Sequence, residues 1–145
     1  MIMSFDQYMR DTVQPMRDEL TRIGVEELRT PEEVAEKLGG ADGTALLVIN
    51  SVCGCAAGQC RPGIAKALEG AIKPDQLFTV FAGQDKEATA AAREQFLGEL
   101  PPSSPSIALF KGGELVHFIP RHRIEDRNAD QIADDLTAAF QEYCQ

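Results

Sequence analysis

The chain has 145 residues, of which 43% are hydrophobic and 26% are charged, and this composition excludes a disordered or fibrous protein. A net charge of −9 also excludes a general nucleic-acid binder, because phosphate contacts need clustered Lys and Arg. No stretch approaches the roughly 18 consecutive apolar residues of a membrane span, and the first residues lack the basic and apolar regions of a signal peptide. We therefore expect one domain over 1–145, located in the cytoplasm, with neither nucleic acid nor a membrane as its partner.

Helical periodicity, N-cap residues and terminal glycines predict five helices along the chain. They cover about 4–22, 31–38, 54–69, 83–98 and 128–143. Pro15 is expected to bend the first helix, and Pro62 is expected to bend or restart the third. The first helix precedes every strand and is therefore an N-terminal addition to the sheet.

Apolar and β-branched runs predict five strands, over 25–28, 44–50, 77–82, 106–110 and 114–119. The run TALLVIN over 44–50 is nearly all apolar, as expected for a central strand covered on both faces. The last two strands flank Gly112 and Gly113 and form a hairpin. Strands alternating with helices, followed by a hairpin and a final helix, predict an α/β fold with a mixed sheet and helices on both faces.

Three of the four cysteines lie in the segment NSVCGCAAGQCRPG, at positions 53, 55 and 60. Structural disulfides are usually reduced in the cytosol, whereas catalytic and metal-binding cysteines persist there. The cluster therefore favours redox chemistry or metal binding over a structural bridge. Cys144, next to the last residue, is expected to be an exposed bystander or a minor core residue.

The chain order places Cys53 and Cys55 where a central strand passes into a helix. Unpaired N–H groups at a helix start stabilise a thiolate, so the pKa there falls below the usual value of about 8.5. Cys53 comes first, should be the more exposed, and is the candidate nucleophile, with Cys55 as the resolving thiol. Gly54, between them, is the residue best able to adopt the dihedral angles of a small disulfide ring.

Functional groups in an open α/β sheet gather beyond the carboxyl ends of its parallel strands. Four loops are expected to meet there around the two sulfurs. The candidate substrate-binding residues from this region are Gly54, Gln84, Ser104, Pro105 and Arg121.

Four segments resemble the bacilliredoxins, which are thioredoxin-like proteins with a Cys-Gly-Cys site. They are FDQYMRDTVQPMRDEL, VINSVCGCAAGQCRPG, VFAGQDKEATAAARE and PPSSPSIALFKGGELVHFIPRHRIE, and they extend over nearly the whole chain. The resemblance implies a thioredoxin fold and the removal of bacillithiol from mixed disulfides on oxidised client proteins. It also implies that Cys53 attacks, that Cys55 resolves or modulates, and that the Ser104–Pro105 peptide bond is cis. Bacillithiol, a low-molecular-weight thiol, is then a co-substrate, and no bound cofactor or metal is expected.

Cys60 departs from the family pattern, and two interpretations remain open. It is either a second resolving thiol, about two helical turns after Cys53, or a small apolar residue that faces the sheet. Two other functions are also open. One is a metal or iron–sulfur carrier that uses Cys53, Cys55 and Cys60, with His122 as a candidate fourth ligand, and the other is a disulfide isomerase.

Several polar residues are expected to have structural roles. Asp85 is interpreted as a helix cap and His117 as a partly exposed strand residue. The basic residues 121–123 either orient a substrate carboxylate and lower a thiol pKa, or form a solvated turn.

Overall fold

The computed structural model describes residues 3–145, and its five strands form one mixed sheet. The strands are β1 (Glu26–Glu27), β2 (Thr44–Asn50), β3 (Gln76–Phe81), β4 (Ser106–Lys111) and β5 (Glu114–Ile119). Their order is β1-β3-β2-β4-β5, with the first three parallel to one another and the hairpin strands antiparallel to their neighbours. All five predicted strands are confirmed.

Six helices surround the sheet, and several of them contain a π-helical turn. They are α1 (Phe5–Tyr8, π-helical Met9–Val13 and Gln14–Thr21), α2 (Pro31–Glu33 and π-helical Val34–Leu38), α3 (π-helical Ala56–Cys60 and Arg61–Ala67), α4 (Lys86–Ala92 and π-helical Arg93–Leu97), α5 (His122–Glu125) and α6 (Ala129–Tyr143). The five predicted helices are confirmed, whereas α5 is not predicted because four residues carry too little periodicity. No helix within 3–145 is long and apolar enough to cross a membrane.

The two prolines within helices lie just after π-helical turns. Pro15 and Pro62 each occupy the first turn of the α-helical segment that follows. Cys60 and Arg61, just before Pro62, keep right-handed helical backbone angles, so the hydrogen-bond pattern changes from π- to α-helical without a break in the helix. The expected restart of helix α3 is therefore not observed, and the bends expected at Pro15 and Pro62 stay predictions.

The sheet separates two apolar clusters, because successive residues of a strand point to opposite faces. Leu46 and Val48 pack with α3 and α6 on one face. Leu47 and Ile49 pack with α2 and α4 on the other. Strand β2 is buried along its whole length, as a central strand should be.

The first helix is anchored by a buried arginine, Arg17, which is 2% exposed. Its Nη1 donates to Glu27 over 2.7 Å and to Asp85 over 2.6 Å, and its guanidinium lies 5.1 Å from the centre of the Phe81 ring. Asp85 precedes α4 at the N-cap position, but its side chain makes no capping hydrogen bond. The interpretation of its carboxylate as a helix cap is therefore wrong, because that carboxylate pairs with Arg17 instead.

The close approach of α3 to α6 depends on Gly63. A Cβ at this position would lie 2.8 Å from Ile132 Cγ2 and 3.1 Å from the Ala129 carbonyl oxygen. We predict that Gly63→Ala lowers the free energy of unfolding by about 1–3 kcal/mol, because the added methyl group forces the two helices apart. Urea denaturation followed by circular dichroism measures the effect.

Gly58, earlier in α3, provides the matched control. No atom lies within 4 Å of a Cβ built there, so Gly58→Ala should leave stability unchanged or raise it by up to about 1 kcal/mol. Equal destabilisation by both substitutions would contradict the packing argument.

Candidate active site

The candidate site begins where buried strand β2 ends and helix α3 starts. Cys53 occupies the turn between them, and its carbonyl oxygen accepts hydrogen bonds from the Ala56 and Ala57 N–H groups at 3.1 and 3.3 Å. Its own N–H donates to Ser51 Oγ over 3.2 Å. The strand end and the helix start thus fix the backbone on both sides of Cys53.

Cys53 and Cys55 bring their sulfurs together. The two Sγ atoms lie 2.8 Å apart, and both residues are free, partly exposed cysteines. Both are partly exposed, so the expectation that Cys53 is the more exposed stays a prediction. At this distance one thiol donates a hydrogen bond to the other sulfur.

The surroundings push the two thiol pKa values in opposite directions. Burial alone would raise the pKa of Cys53, but hydrogen bonds from the Cys55 thiol, the Ser51 hydroxyl and the N–H groups of Ala56 and Cys55 outweigh it, and that pKa is lowered. Burial, the hydrogen bond to Cys53 and the charge of Cys53 raise the pKa of Cys55, although Arg121 opposes them. Cys53 is therefore the first thiol of the pair to ionise, and Cys55 keeps its proton to a higher pH.

Gly54 faces open space between the two cysteines. No atom lies within 4 Å of a Cβ built on it, and its φ is outside the left-handed region. The free-thiol form thus makes no special demand on Gly54. Its role in a Cys53–Cys55 disulfide stays a prediction.

Cys60 lies beneath the pair, inside the apolar cluster formed by α3 and α6. It is 1% exposed, and burial raises its pKa to about 12. A thiol that is shielded from solvent and protonated at neutral pH is a poor nucleophile. The structure thus favours the apolar-residue interpretation over the accessory-thiol interpretation.

Cys144 is also distant from the pair. It is partly buried against the same cluster and lies near Thr44, at the opposite end of β2. Burial raises its pKa. This placement agrees with a minor core residue.

The loops before β4 and after β5 meet beside the sulfurs. The Ser104–Pro105 peptide bond is cis, as the resemblance implies. The Arg121 N–H donates to Ser103 Oγ over 2.7 Å, and its guanidinium donates to the Ser104 carbonyl over 3.4 Å. A hydrogen bond to Glu125, and then the charges of Cys53 and Cys55, raise the pKa of Arg121, so this cation lies within electrostatic reach of both thiols.

Unlike Arg121, Gln84 shows no interaction with the two sulfurs within residues 3–145. It lines a shallow cavity of about 330 Å³ with Arg29, Asp85, Lys86 and Glu87, and neither reactive cysteine lines that cavity. Within residues 3–145 the structure gives no hydrogen bond between the Gln84 side chain and either sulfur. Of the predicted substrate-binding residues, Arg121 is the one whose charge interacts with both thiols.

The metal-carrier hypothesis lacks a suitable cluster. Among the described residues, no three His, Cys, Asp or Glu side chains are grouped to hold a metal ion. His122 instead lines an apolar cavity of about 320 Å³. The other lining residues are Leu100, Pro101, Pro102, Ser103, Phe118 and Pro120.

His117 is a partly exposed strand residue, as expected. Its Nε2 atom lies 2.6 Å from Asp135 Oδ1.

Two residues of the site's support, Ser51 and Arg61, are absent from the sequence-based predictions. Both are buried, and Arg61 is only 2% exposed. Arginine is usually exposed, so its position on a helix gives no signal of burial. Ser51 is adjacent to the motif, and a search for hydroxyl groups within two residues of Cys53 would find it.

Curated relatives share the whole length of this chain. The family model described as disulphide isomerase matches residues 8–144. A bacilliredoxin of Geobacillus kaustophilus is 56% identical over 145 residues, which cover 99% of each chain. One from Halalkalibacterium halodurans is 55% identical and covers 100% of each chain. The chain belongs to the bacilliredoxin family.

Solved structures with similar backbones are thioredoxins. The thioredoxin of Malassezia sympodialis matches with a TM-score of 0.56 and 18% identity, covering 84% of this chain and 92% of that one. Thioredoxin O2 of Arabidopsis thaliana matches with a TM-score of 0.57 and 17% identity, covering 86% and 97%. The fold is therefore thioredoxin-like, with an N-terminal helix and a five-stranded mixed sheet. Family and fold together support a redox enzyme of the thiol–disulfide oxidoreductase class.

The opposed pKa shifts predict which bacilliredoxin thiol reacts first. Iodoacetamide attacks thiolates, so alkylation of Cys53 should reach its plateau at a lower pH than alkylation of Cys55. Cys60 should stay unmodified in the folded protein because it is buried. Mass spectrometry with fragment-ion assignment, over a series of pH values, measures each site, and faster alkylation of Cys55 than of Cys53 near neutral pH would contradict the assignment.

Proposed function

We propose that this chain reduces mixed disulfides between client proteins and bacillithiol by nucleophilic attack of Cys53. The observation that carries the proposal is the 2.8 Å sulfur pair, in which one thiol has a lowered pKa and its neighbour a raised one. Such a pair provides a nucleophile and a second thiol within reach of the bond that the first one forms. The family relationship supports the same class of reaction.

In the first step, the Cys53 thiolate attacks the bacillithiol sulfur of the client's mixed disulfide. A bond forms between Cys53 and bacillithiol, and the client's sulfur leaves as a thiolate that takes a proton from solvent. The client is reduced by two electrons, while Cys53 now carries the thiol adduct. Arg121 lies where its positive charge stabilises the anionic sulfurs of this exchange.

Two second steps are chemically balanced. In one, the Cys55 thiolate attacks Cys53, releases bacillithiol as a thiolate and leaves a Cys53–Cys55 disulfide. Two molecules of a low-molecular-weight thiol then reduce this disulfide in two exchange steps and leave as their own disulfide. In the other, a free low-molecular-weight thiol attacks the adduct directly, which restores Cys53 and yields a disulfide of the two small thiols. The proximity of Cys55 favours the first route.

Client recognition is proposed to use the surface around the pair. Gly54 and Arg121 are exposed, Ser104 is partly exposed and accepts a hydrogen bond from Arg121 through its carbonyl oxygen, and Pro105 is buried behind it. An extended client segment requires backbone and charged contacts of this kind beside the attacked sulfur. No bound cofactor enters the reaction, and the cytoplasm is the proposed location because reactive cysteines stay reduced there.

The central test is release of bacillithiol from a bacillithiol-modified client protein. Cys53→Ala should abolish release, because it removes the thiol of lowered pKa that performs the first step. Cys55→Ala should still accept the adduct but should accumulate it on Cys53 when no small thiol is supplied. Mass spectrometry detects the adduct, and gel or thiol assays detect the freed client.

Cys144→Ala is the control variant, because this cysteine is partly buried at the far end of β2 and should not affect the reaction. Full release of bacillithiol by Cys53→Ala would end the proposed mechanism.

Disulfide isomerisation is a second candidate, favoured by the description of the family model that matches residues 8–144. An isomerase would begin with the same attack by Cys53 but would act on a disulfide between two client cysteines. We expect the recovery of activity from a scrambled, multiply bridged client protein to be slow compared with bacillithiol release. The opposite ranking of the two rates would favour the isomerase.

A further inference from the structure

Arg61 is a buried cation of helix α3, and the mechanism above leaves its role open. Its Nη1 donates to Asn50 Oδ1 over 2.8 Å and to the Ser51 carbonyl oxygen over 2.9 Å. Its Nε donates to Glu19 of helix α1 over 2.9 Å. Arg61 therefore binds the end of β2 to two helices, and these contacts offset the cost of burying its charge.

Asn50 connects Arg61 to the next residue of the turn. The Asn50 Oδ1 atom accepts a second hydrogen bond, from the Ser51 N–H over 2.9 Å. Arg61 thus fixes the backbone of Ser51 at both its N–H, through Asn50, and its carbonyl group, directly. Ser51 has little remaining backbone freedom.

The fixed Ser51 backbone directs its hydroxyl group to Cys53. Ser51 Oγ accepts a hydrogen bond from the Cys53 N–H over 3.2 Å. A hydroxyl group that accepts through its oxygen retains its hydrogen and is able to donate it to a nearby thiolate. This second contact helps to lower the pKa of Cys53.

We propose that Arg61 and Ser51 are positioning residues for Cys53, with Arg61 holding the Ser51 backbone and Ser51 holding the reactive cysteine through its hydroxyl group. This inference rests on the proposed function, in which Cys53 is the nucleophile. On the side of Cys53, Arg61 makes hydrogen bonds with Asn50 and Ser51 only. It therefore acts on Cys53 by geometry and not by direct charge. A lysine at 61 would keep the charge but lose the planar fork that reaches Asn50, Ser51 and Glu19 together.

The test measures the pH profile of Cys53 alkylation by iodoacetamide in the full-length protein. Ser51→Ala should slow alkylation at pH 6 about tenfold and leave the rate at pH 10 unchanged, because a hydrogen bond to the thiolate is lost. Ser51→Thr keeps a hydroxyl group and should retain most of the wild-type rate. Arg61→Lys should shift the profile in the same direction as Ser51→Ala.

Arg17→Lys is the matched control for the loss of a buried arginine. Arg17 is as buried as Arg61, but its contacts are with Glu27, Asp85 and the Phe81 ring. It should lower stability and leave the Cys53 profile unchanged. If Arg61→Lys does not fold, Asn50→Ala breaks the same connection from its other end and should show the same shift.

An unchanged profile in Ser51→Ala overturns the proposal, as does an Arg61→Lys profile shifted no further than that of Arg17→Lys. The alkylation readout is independent of any client protein. A wild-type protein that alkylates at Cys53 but releases no bacillithiol would therefore defeat the proposed function without affecting this inference.

Discussion

The proposed chemistry depends on lowering the pKa of one thiol at the point where a buried strand becomes a helix. Strand β2 is covered on both faces and cannot shift, so its end is a fixed point. The turn after it places Cys53 among the donors that favour a thiolate: the Cys55 thiol, the Ser51 hydroxyl and nearby N–H groups. Partial burial opposes ionisation, and these donors outweigh it. Reactivity at Cys53 is therefore a property of the junction.

Helix α1 contributes to this junction although it contains none of the reacting atoms. Its Glu19 pairs with buried Arg61, and the Met16 carbonyl accepts a hydrogen bond from Asn50 at the end of β2. Arg17 of α1 pairs with Glu27 of β1 and with Asp85, which follows β3. Two buried cations thus tie this N-terminal helix to the carboxyl edge of the sheet. The added helix supports the site through its contacts with Arg61 and Asn50, and Arg17 anchors the helix away from Cys53.

Local sequence patterns predict the strands, the main helices and the position of the reactive cysteines. The features that they fail to predict depend on pairing between residues far apart in the chain. The apolar run before Cys53 and the Gly112–Gly113 turn carry their structure in adjacent residues, so both are visible in the sequence. Asp85 is different, because it has the spacing of a helix cap and yet pairs with an arginine 68 positions earlier. Arg61 likewise has the sequence context of a surface residue. Only the folded chain brings such partners together. The cis peptide bond before Pro105 is a separate case, because family resemblance and not residue spacing indicates it.

The contacts that shift the two thiol pKa values also set the order of the two proposed steps. While Cys53 is ionised, burial, the hydrogen bond to Cys53 and the charge of Cys53 together raise the pKa of Cys55. In the proposed reaction that charge disappears when Cys53 accepts the bacillithiol adduct, while Arg121 still favours an anion at Cys55. Losing the two contributions from Cys53 lowers the pKa of Cys55, although burial continues to raise it. The first proposed step thus makes the thiol that performs the second step easier to ionise.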